Sequence, residues 1–349
     1  MYYLLILVIL LIYHYTASQP VGIREQKEKE KRLSYLICVI LIIMAAFRSD
    51  MVGADTLVYR MDYEDLVHYH DFDSLADRYT ISYIGYFGLS KLFHMAGMPV
   101  QVWFGFVEAF YLFALMQLIK RFSKDKIFSL LVFTTIGLFT FSLAGLKQTT
   151  GSALVMLAFI SFIEKKYLLT ALLAFATYYT HPAALIGLGT LPLYYVREKK
   201  WFIPMTIAIC LAIYSYSMIF MSTMVEILGN EHFETYLINE SSYSYVTLIF
   251  YVVITMISYL NFKSYNESDP EYAKLFLGLS IIGCGLQLLA GVSPSLFRLA
   301  LMYTPFMTIL LPNVAYYSNN KLVRYILMGC IIFYFLYTNR NTPYSFFFF

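Results

Sequence analysis

The lysine and arginine residues of this 349-residue chain are clustered between apolar runs in an alternating pattern. The apolar runs are about 15–22 residues long, which is the length at which a helix crosses a bilayer. Eighteen of the 25 basic residues lie in six short gaps, at residues 17–33, 120–126, 164–166, 197–200, 262–274 and 318–324. Because basic residues accumulate in cytoplasmic loops, these gaps are predicted to be cytoplasmic and the gaps between them external.

Composition supports a membrane protein. The chain is 60% hydrophobic and 13% charged, whereas a soluble protein has about 25% charged residues. No soluble core could bury this much apolar surface, so the sequence predicts an all-α, polytopic membrane protein. The net charge of +3 reflects the cytoplasmic bias and indicates no nucleic-acid partner. Four cysteines lie inside apolar runs and are predicted to be buried small hydrophobes rather than a disulfide or zinc set: Cys38, Cys210, Cys284 and Cys330.

About twelve membrane spans are predicted, forming a single transmembrane domain over residues 1–349. The spans are 2–16, 34–47, 100–119, 127–145, 149–163, 167–180, 183–196, 201–221, 244–262, 273–291, 296–313 and 322–338. The first run has no basic region before it and no small-residue cleavage site after it, so we interpret it as a retained span. With 17–33 inside as a solvated hairpin, both termini are predicted to be extracytoplasmic.

Two long segments, 48–99 and 222–243, are predicted to be external. The stretch 80–95 is moderately apolar, which predicts an amphipathic or re-entrant helix. The spans 149–163 and 167–180 are short, since 15 residues cover only about 22 Å. Short spans place their connectors, 146–148 and 180–182, below the outer surface in a recess.

A charged cluster follows the second span. Gly53 permits a tight turn, and a helix beginning at Thr56 would place Asp55 at its N-cap. Four side chains would then share one helix face: Asp55, Tyr59, Asp62 and Tyr63. Either Asp55 only caps this helix and Arg48 only snorkels to the interface, or the cluster is part of a functional site.

Two further candidates lie at external turns. Lys147, followed by Gln148, sits on the outer side, where a lysine opposes the topology rule. Its ammonium could bind a phosphate or could simply snorkel to the interface. His181 could accept a proton, donate to a phosphate or be a satisfied polar residue, and Pro182 is natural at the start of the next helix.

Two charged residues are predicted inside spans. Arg298 follows a predicted non-helical turn at residues 291–295 and enters the first turns of the next span, and an intramembrane arginine is by default a functional-site hypothesis. Glu108 is the one acid deep in a span. It could neutralise Arg298 or Lys147, or act as an acid/base group.

The order of these residues resembles the EpsG-type, Wzy-like family of bacterial polysaccharide polymerases over roughly residues 35–315. The resemblance rests on Arg48 with Gly53, Asp55 and Tyr59, on Lys147-Gln148, on His181-Pro-Ala-Ala-Leu-Ile, and on Arg298 with Tyr303. Lys147 stands where an arginine is usual, which keeps the charge but loses bidentate geometry. Pro182 follows the histidine where Lys or Ser is usual.

The resemblance implies a GT-C-like glycosyltransferase of the bacterial plasma (inner) membrane that joins oligosaccharide repeat units carried on a polyprenyl diphosphate, as in capsule, exopolysaccharide or O-antigen synthesis. The implied catalytic residues are Asp55, His181 and Arg298, and the implied substrate-binding residues are Arg48, Tyr59, Lys147, Gln148 and Tyr303. Expected partners are the lipid-linked oligosaccharide, the bilayer, and other polysaccharide assembly and chain-length proteins. No cofactor, metal or nucleotide-sugar site is expected.

Two other classes of membrane protein fit part of this pattern. A transporter or flippase of lipid-linked glycans would use the same cations, but the sequence has no internal repeat and its polar residues crowd one side. A membrane O-acyltransferase fits one recessed histidine but not the outward-facing cations.

Overall fold

The computed structural model describes residues 2–17, 23–69, 72–216, 219, 223, 245–291, 296–318, 320–340 and 344–347. Over these residues the chain is almost entirely helical, which confirms the all-α prediction. The chain divides into two compact units, the first comprising Met1–Leu185 with Ile331–Phe349 and the second Ile186–Cys330. This division does not test whether the two units form a single transmembrane domain, which stays a prediction.

The first unit contains ten complete helices within its described residues. They are α1 (Tyr2–Ala17), α2 (Ile23–Ala46), α3 (Thr56–Asp65), α4 (Phe72–Tyr79), α5 (Ile84–Met95), α6 (Val100–Phe122), α7 (Lys126–Thr135), α8 (Leu138–Ala144), α9 (Leu146–Ile163) and α10 (Tyr167–Thr180). Helix α9 packs against both α6 and α10, and α2 packs against α6.

The second unit is built around one long helix, α15. Its helices are α11 (Thr190–Val196), α12 (Phe202–Ser215), α13 (Val246–Leu260), α14 (Phe262–Ser268), α15 (Pro270–Leu288), α16 (Phe297–Ala300) and α17 (Met307–Tyr317). Both α12 and α13 pack against α15. The chain returns to the first unit within α18 (Lys321–Thr338).

Four helical segments among the described residues are long and apolar enough to cross a membrane: α6, α9, Pro270–Gly291 and α18. Two bent pairs, α7 with α8 at 55° and α13 with α14 at 61°, raise this number to six. The remaining predicted spans coincide with shorter apolar helices or with parts of helices. The protein is therefore a membrane protein, while twelve crossings, a GT-C-like arrangement and the placement of the termini stay predictions.

The charged run at residues 24–32 is helical and is not itself a turn, while the residues that connect α1 to α2 lie outside the described residues. These residues form the first turns of α2, which continues into the apolar run. Glu, Lys, Gln and Arg are good helix formers, and their opposite charges at i,i+4 spacing stabilise a helix.

The predicted connector at residues 146–148 is also wrong in its boundary. These residues form the first turn of α9, because the chain leaves α8 at Gly145 and the Thr149 amide donates to the Gly145 carbonyl at 2.8 Å. Helix α9 therefore has 18 residues and is about 27 Å long. Lys147 consequently stands at the start of a candidate membrane span.

The predicted external segment 48–99 is largely helical. It contains α3, α4 and α5, and the helix expected over 80–95 is confirmed as a 3-10 turn (Ile81–Tyr83) followed by α5. An aromatic core joins α3 and α5 to α6, through Tyr63, Tyr86, Phe87, Trp103 and Phe104 among others. The predicted segment 222–243, apart from Thr223, and the turn residues 292–295 lie outside the described residues.

Candidate functional site

Lys147 extends into a box of three aromatic rings. Its Nζ lies 4.8 Å from the ring centroid of Tyr83, 5.3 Å from that of Phe87 and 5.8 Å from that of Tyr59. At such distances each ring attracts the ammonium by about 0.5–1 kcal/mol at exposed sites. The residue is partly exposed, and the three rings hold its ammonium in place.

The walls of the box come from separate elements of the first unit. Tyr59 lies on α3, Tyr83 ends the 3-10 turn before α5, and Phe87 lies one turn into α5. Tyr79 of α4 stacks on Phe87 with ring centroids 3.7 Å apart. The box is therefore assembled only when the helices of the segment 48–99 pack on the start of α9.

An acidic group lies beside the box. Burial raises the pKa of Asp62, while the nearby charge of Lys147 acts in the opposite direction. The Tyr79 hydroxyl donates to Asp62 Oδ1 at 3.4 Å. When ionised, this carboxylate partly offsets the positive charge of Lys147.

The start of α9 adds positive potential to the lysine. The first amides of a helix have no partner within it, and the helix dipole makes this end attractive to anions. Gln148, in the same turn, is 4% exposed, and its Oε1 has no hydrogen-bond partner among the described residues. Lysine and helix start together form a candidate anion site.

His181 also contacts Tyr83. It is the C-cap of α10, in extended backbone, and its ring stacks on Tyr83 with centroids 6.0 Å apart. Gly151, one turn beyond Lys147 on α9, lets the residues that follow α10 pack closely against α9. A Cβ added there would lie 2.8 Å from Ala184 Cβ and 3.3 Å from His181 Cβ.

Asp55 occupies the predicted N-cap position of α3, but its side chain makes no capping hydrogen bond to the helix. The start of α3 is held instead by Thr56, whose hydroxyl accepts from Arg48 Nε at 3.2 Å. The predicted turn at Gly53 is confirmed, with φ at +89°. A Cβ there would lie 2.6 Å from the Leu143 carbonyl oxygen.

Arg48 is fully buried. Its guanidinium lies 4.1 Å from the ring centroid of Phe104 and donates to Thr56 and to the Ala45 carbonyl. Direct substrate contact, as expected from the sequence, would require the side chain to leave these partners. In the structure Arg48 joins α2, α3 and α6.

Glu108 is buried in α6 and interacts with the charge of Arg48 and with Ser142. Arg48 reaches it because its side chain turns inward from the end of α2 instead of snorkelling outward. The neutralisation of Arg298 or Lys147 by Glu108 stays a prediction.

A second segment pairs with the backbone around Arg48. Residues 344–347 form an antiparallel bridge there, with the Ser49 amide donating to the Ser345 carbonyl at 2.9 Å. The Phe347 amide donates to the Phe47 carbonyl at 3.0 Å. The turn between α2 and α3 is thus held by the side-chain hydrogen bonds of Arg48 and by backbone hydrogen bonds to residues 344–347.

Arg298 and Tyr303 belong to the second unit. Arg298 is half-buried in the short helix α16, and the buried Tyr303 donates its hydroxyl hydrogen to the Ile186 carbonyl at 2.8 Å. The family resemblance implies that Arg298 acts in one site with Arg48 and Lys147, and this stays a prediction.

Comparison with known proteins gives one match. The sequence model of the EpsG family matches residues 31–348. The chain belongs to the EpsG family. No curated protein and no solved structure matches it. The matched range includes every candidate residue described above.

In this EpsG-family chain, sequence reasoning missed Tyr83 and Phe87 as site residues. The sequence predicts the stretch 80–95 only as an amphipathic or re-entrant helix with an apolar surface. Nothing in the sequence indicated that this surface would pack beside Lys147.

Proposed function

We propose that this EpsG-family protein is a polysaccharide polymerase. It is a membrane glycosyltransferase that joins polyprenyl-diphosphate-linked oligosaccharide repeat units at the outer face of the bacterial plasma membrane. The observation that carries the proposal is the ammonium of Lys147, held by aromatic rings at the start of α9, with His181 stacked on one of these rings, Tyr83.

Lys147 acts on the leaving group. When the bond between the anomeric carbon and the diphosphate breaks, negative charge accumulates on the diphosphate oxygens. A fixed ammonium and the positive end of a helix stabilise that charge more in the transition state than in the ground state. The aromatic box holds the ammonium in position without neutralising it.

The acceptor hydroxyl needs a proton acceptor as its oxygen attacks the anomeric carbon. His181 and Asp55 are the candidates, and the proton passes to one of them as the new glycosidic bond forms. His181 contacts the box, because its ring stacks on Tyr83. Arg48 acts as a positioning residue that fixes the start of α3 and hence Tyr59.

A flippase for the same lipid-linked glycans would need a polar path through the middle of its spans. The three reactive candidates lie instead at helix ends: Lys147 in the first turn of α9, His181 at the end of α10 and Asp55 before α3. This placement favours chemistry at one face of the membrane over transport.

The proposal is tested in a deletion strain complemented with the wild-type gene, Lys147→Ala or the control Lys263→Ala, which removes an exposed lysine elsewhere. Surface glycan is sized on a gel, and protein levels are measured in parallel. We expect Lys147→Ala, like the deletion, to display single repeat units without polymer. Loss of all displayed repeat units would support the flippase, and normal chain lengths would contradict the proposed site.

A further inference from the structure

A cavity of about 480 Å³ lies between α5, α6, α9 and α10 of the first unit. Its walls are almost wholly apolar, with Trp103 and Phe110 from α6, Leu154 from α9 and Ala176 from α10. A dry, apolar cavity of this size is a binding site for hydrocarbon rather than for sugar.

The cavity reaches the exposed side of α10. Phe175 lines it and is 63% exposed. Leu168 and Leu172 are also exposed and continue the same apolar stripe at helical spacing. Because α10 packs on α9, a candidate membrane span, this stripe faces the hydrocarbon of the bilayer and gives a chain lateral access.

The other end of the cavity lies towards Lys147. On α9, Lys147, Thr150 and Leu154 follow one another at intervals of three and four, so they share a helix face. Thr150 and Leu154 line the cavity. Leu154 is about 10 Å along the helix axis from Lys147.

Along α10, the residues that line the cavity are apolar in the middle of the helix and polar at its end. Thr180 lines the cavity directly before His181, and Phe175 and Ala176 lie one turn or more before it. The lining residues nearest in sequence to Lys147 and His181 are thus Thr150 and Thr180, and on α10 the exposed part of the lining is the apolar Phe175.

We propose that this cavity binds the first isoprene units of the polyprenyl carrier while its diphosphate rests at Lys147. The inference rests on the proposed function and adds the chain-binding subsite to it. The site would distinguish the carrier from a free diphosphate by its chain, and it would fix the distance between the membrane-embedded chain and the reacting phosphate.

The test uses the tryptophan in the cavity. The chain has two tryptophans, Trp103 and the exposed Trp201, so the variant Trp201→Phe reports on Trp103 alone. This protein is placed in lipid nanodiscs and titrated with geranylgeranyl diphosphate or with inorganic diphosphate while Trp103 emission is followed. Ala176→Phe fills the cavity, and Ala171→Phe, at an exposed position on the same helix, is its matched control.

We expect a saturable emission change with geranylgeranyl diphosphate, and a Kd at least tenfold weaker in Ala176→Phe but unchanged in Ala171→Phe. Ala176→Leu, which adds less volume, should give a smaller loss if the phenylalanine variant does not fold. Equal affinity for inorganic diphosphate, or equal affinity in wild type and a folded Ala176→Phe, would overturn the proposal.

The competing occupant is an acyl chain of a bilayer phospholipid. In nanodiscs of phosphatidylglycerol with brominated acyl chains, quenching of Trp103 that geranylgeranyl diphosphate does not relieve would assign the cavity to phospholipid. Binding is measured without glycan transfer. A protein that binds the isoprenoid as expected but makes no polymer would therefore refute the proposed polymerase activity and not the chain-binding subsite. Polymerisation that Ala176→Phe leaves unchanged would refute the subsite and not the polymerase activity.

Discussion

At the residue scale, the site depends on how Lys147 is presented. The aromatic rings restrict the lysine side chain without removing its positive charge. Less side-chain entropy is therefore lost when an anion binds. An arginine would also stack on these rings and would add bidentate contact with phosphate.

Lys147→Arg should therefore keep most polymerase activity, whereas Lys147→Ala should lose about 100-fold, the usual loss when a transition-state charge contact is removed. The measurement is the initial rate of polymer formation by purified protein with a lipid-linked repeat unit. Comparable rates for all three proteins would remove Lys147 from the mechanism.

The second prediction concerns Asp62 and pH. Burial raises its pKa, so it takes up a proton at a higher pH than an ordinary aspartate. The protonated form no longer competes with phosphate for Lys147, while a diphosphate diester stays ionised. The KM for the lipid-linked donor should thus fall as the pH is lowered through the range in which Asp62 takes up its proton, which lies above that of an ordinary aspartate.

Asp62→Asn should have a low KM throughout that range, with little change in kcat. Its matched control is Glu64→Gln, at an exposed position on the same helix. A wild-type KM that does not vary with pH, or an Asp62→Asn profile identical to wild type, would exclude this competition.

The third prediction separates the two candidate bases. Because Asp55 makes no capping hydrogen bond and Asn caps about as well, Asp55→Asn should not change folding. We expect polymer to be lost in Asp55→Asn, in His181→Gln or in both, at normal protein levels in the membrane. Full activity of both variants would exclude Asp55 and His181 as bases. Stabilisation of the leaving diphosphate would then have to drive the reaction alone.

At the element scale, the site depends on how closely α9 meets the turn after α10. Gly151 leaves no room for a side chain, since an added Cβ would lie 2.8 Å from Ala184 Cβ. In a helix, alanine is otherwise favoured over glycine by about 1 kcal/mol. A loss of function at this position would therefore come from displacement and not from a weaker helix.

Gly151→Ala should lower polymerase activity at least tenfold, because a shift of about 1 Å at a reacting group costs about 100-fold. The double variant Gly151→Ala/Ala184→Gly removes the facing methyl group and should recover much of the activity. Thermal unfolding of each protein provides the control for stability. A fully active single variant would show that the spacing of Lys147 and His181 is not critical.

At the scale of the whole molecule, the asymmetry of basic residues predicts which face carries the site. In a chain whose native cysteines are replaced, Asp77→Cys and Glu198→Cys introduce thiols at exposed positions. An impermeant thiol reagent should label only Asp77→Cys in intact cells, and both after the membrane is opened. Labelling of Glu198→Cys alone in intact cells would invert the topology and place the site in the cytoplasm.

The sequence by itself determined the helical class, the membrane location and the turn at Gly53. These depend on local properties: the length of apolar runs, the position of charges and the backbone freedom of glycine. It also picked out Lys147 and His181, because charge and polarity are costly at the ends of apolar runs. The family assignment agrees with the order in which these residues occur.

Only the tertiary structure decided what those residues touch. It turned Arg48 inward to Thr56 and the charge of Glu108, brought both Lys147 and His181 to Tyr83, and left an apolar cavity between α5, α6, α9 and α10. Each of these depends on contacts between segments far apart in sequence. Periodicity states which face of a helix is apolar, but the partner of that face is fixed only when the helices pack.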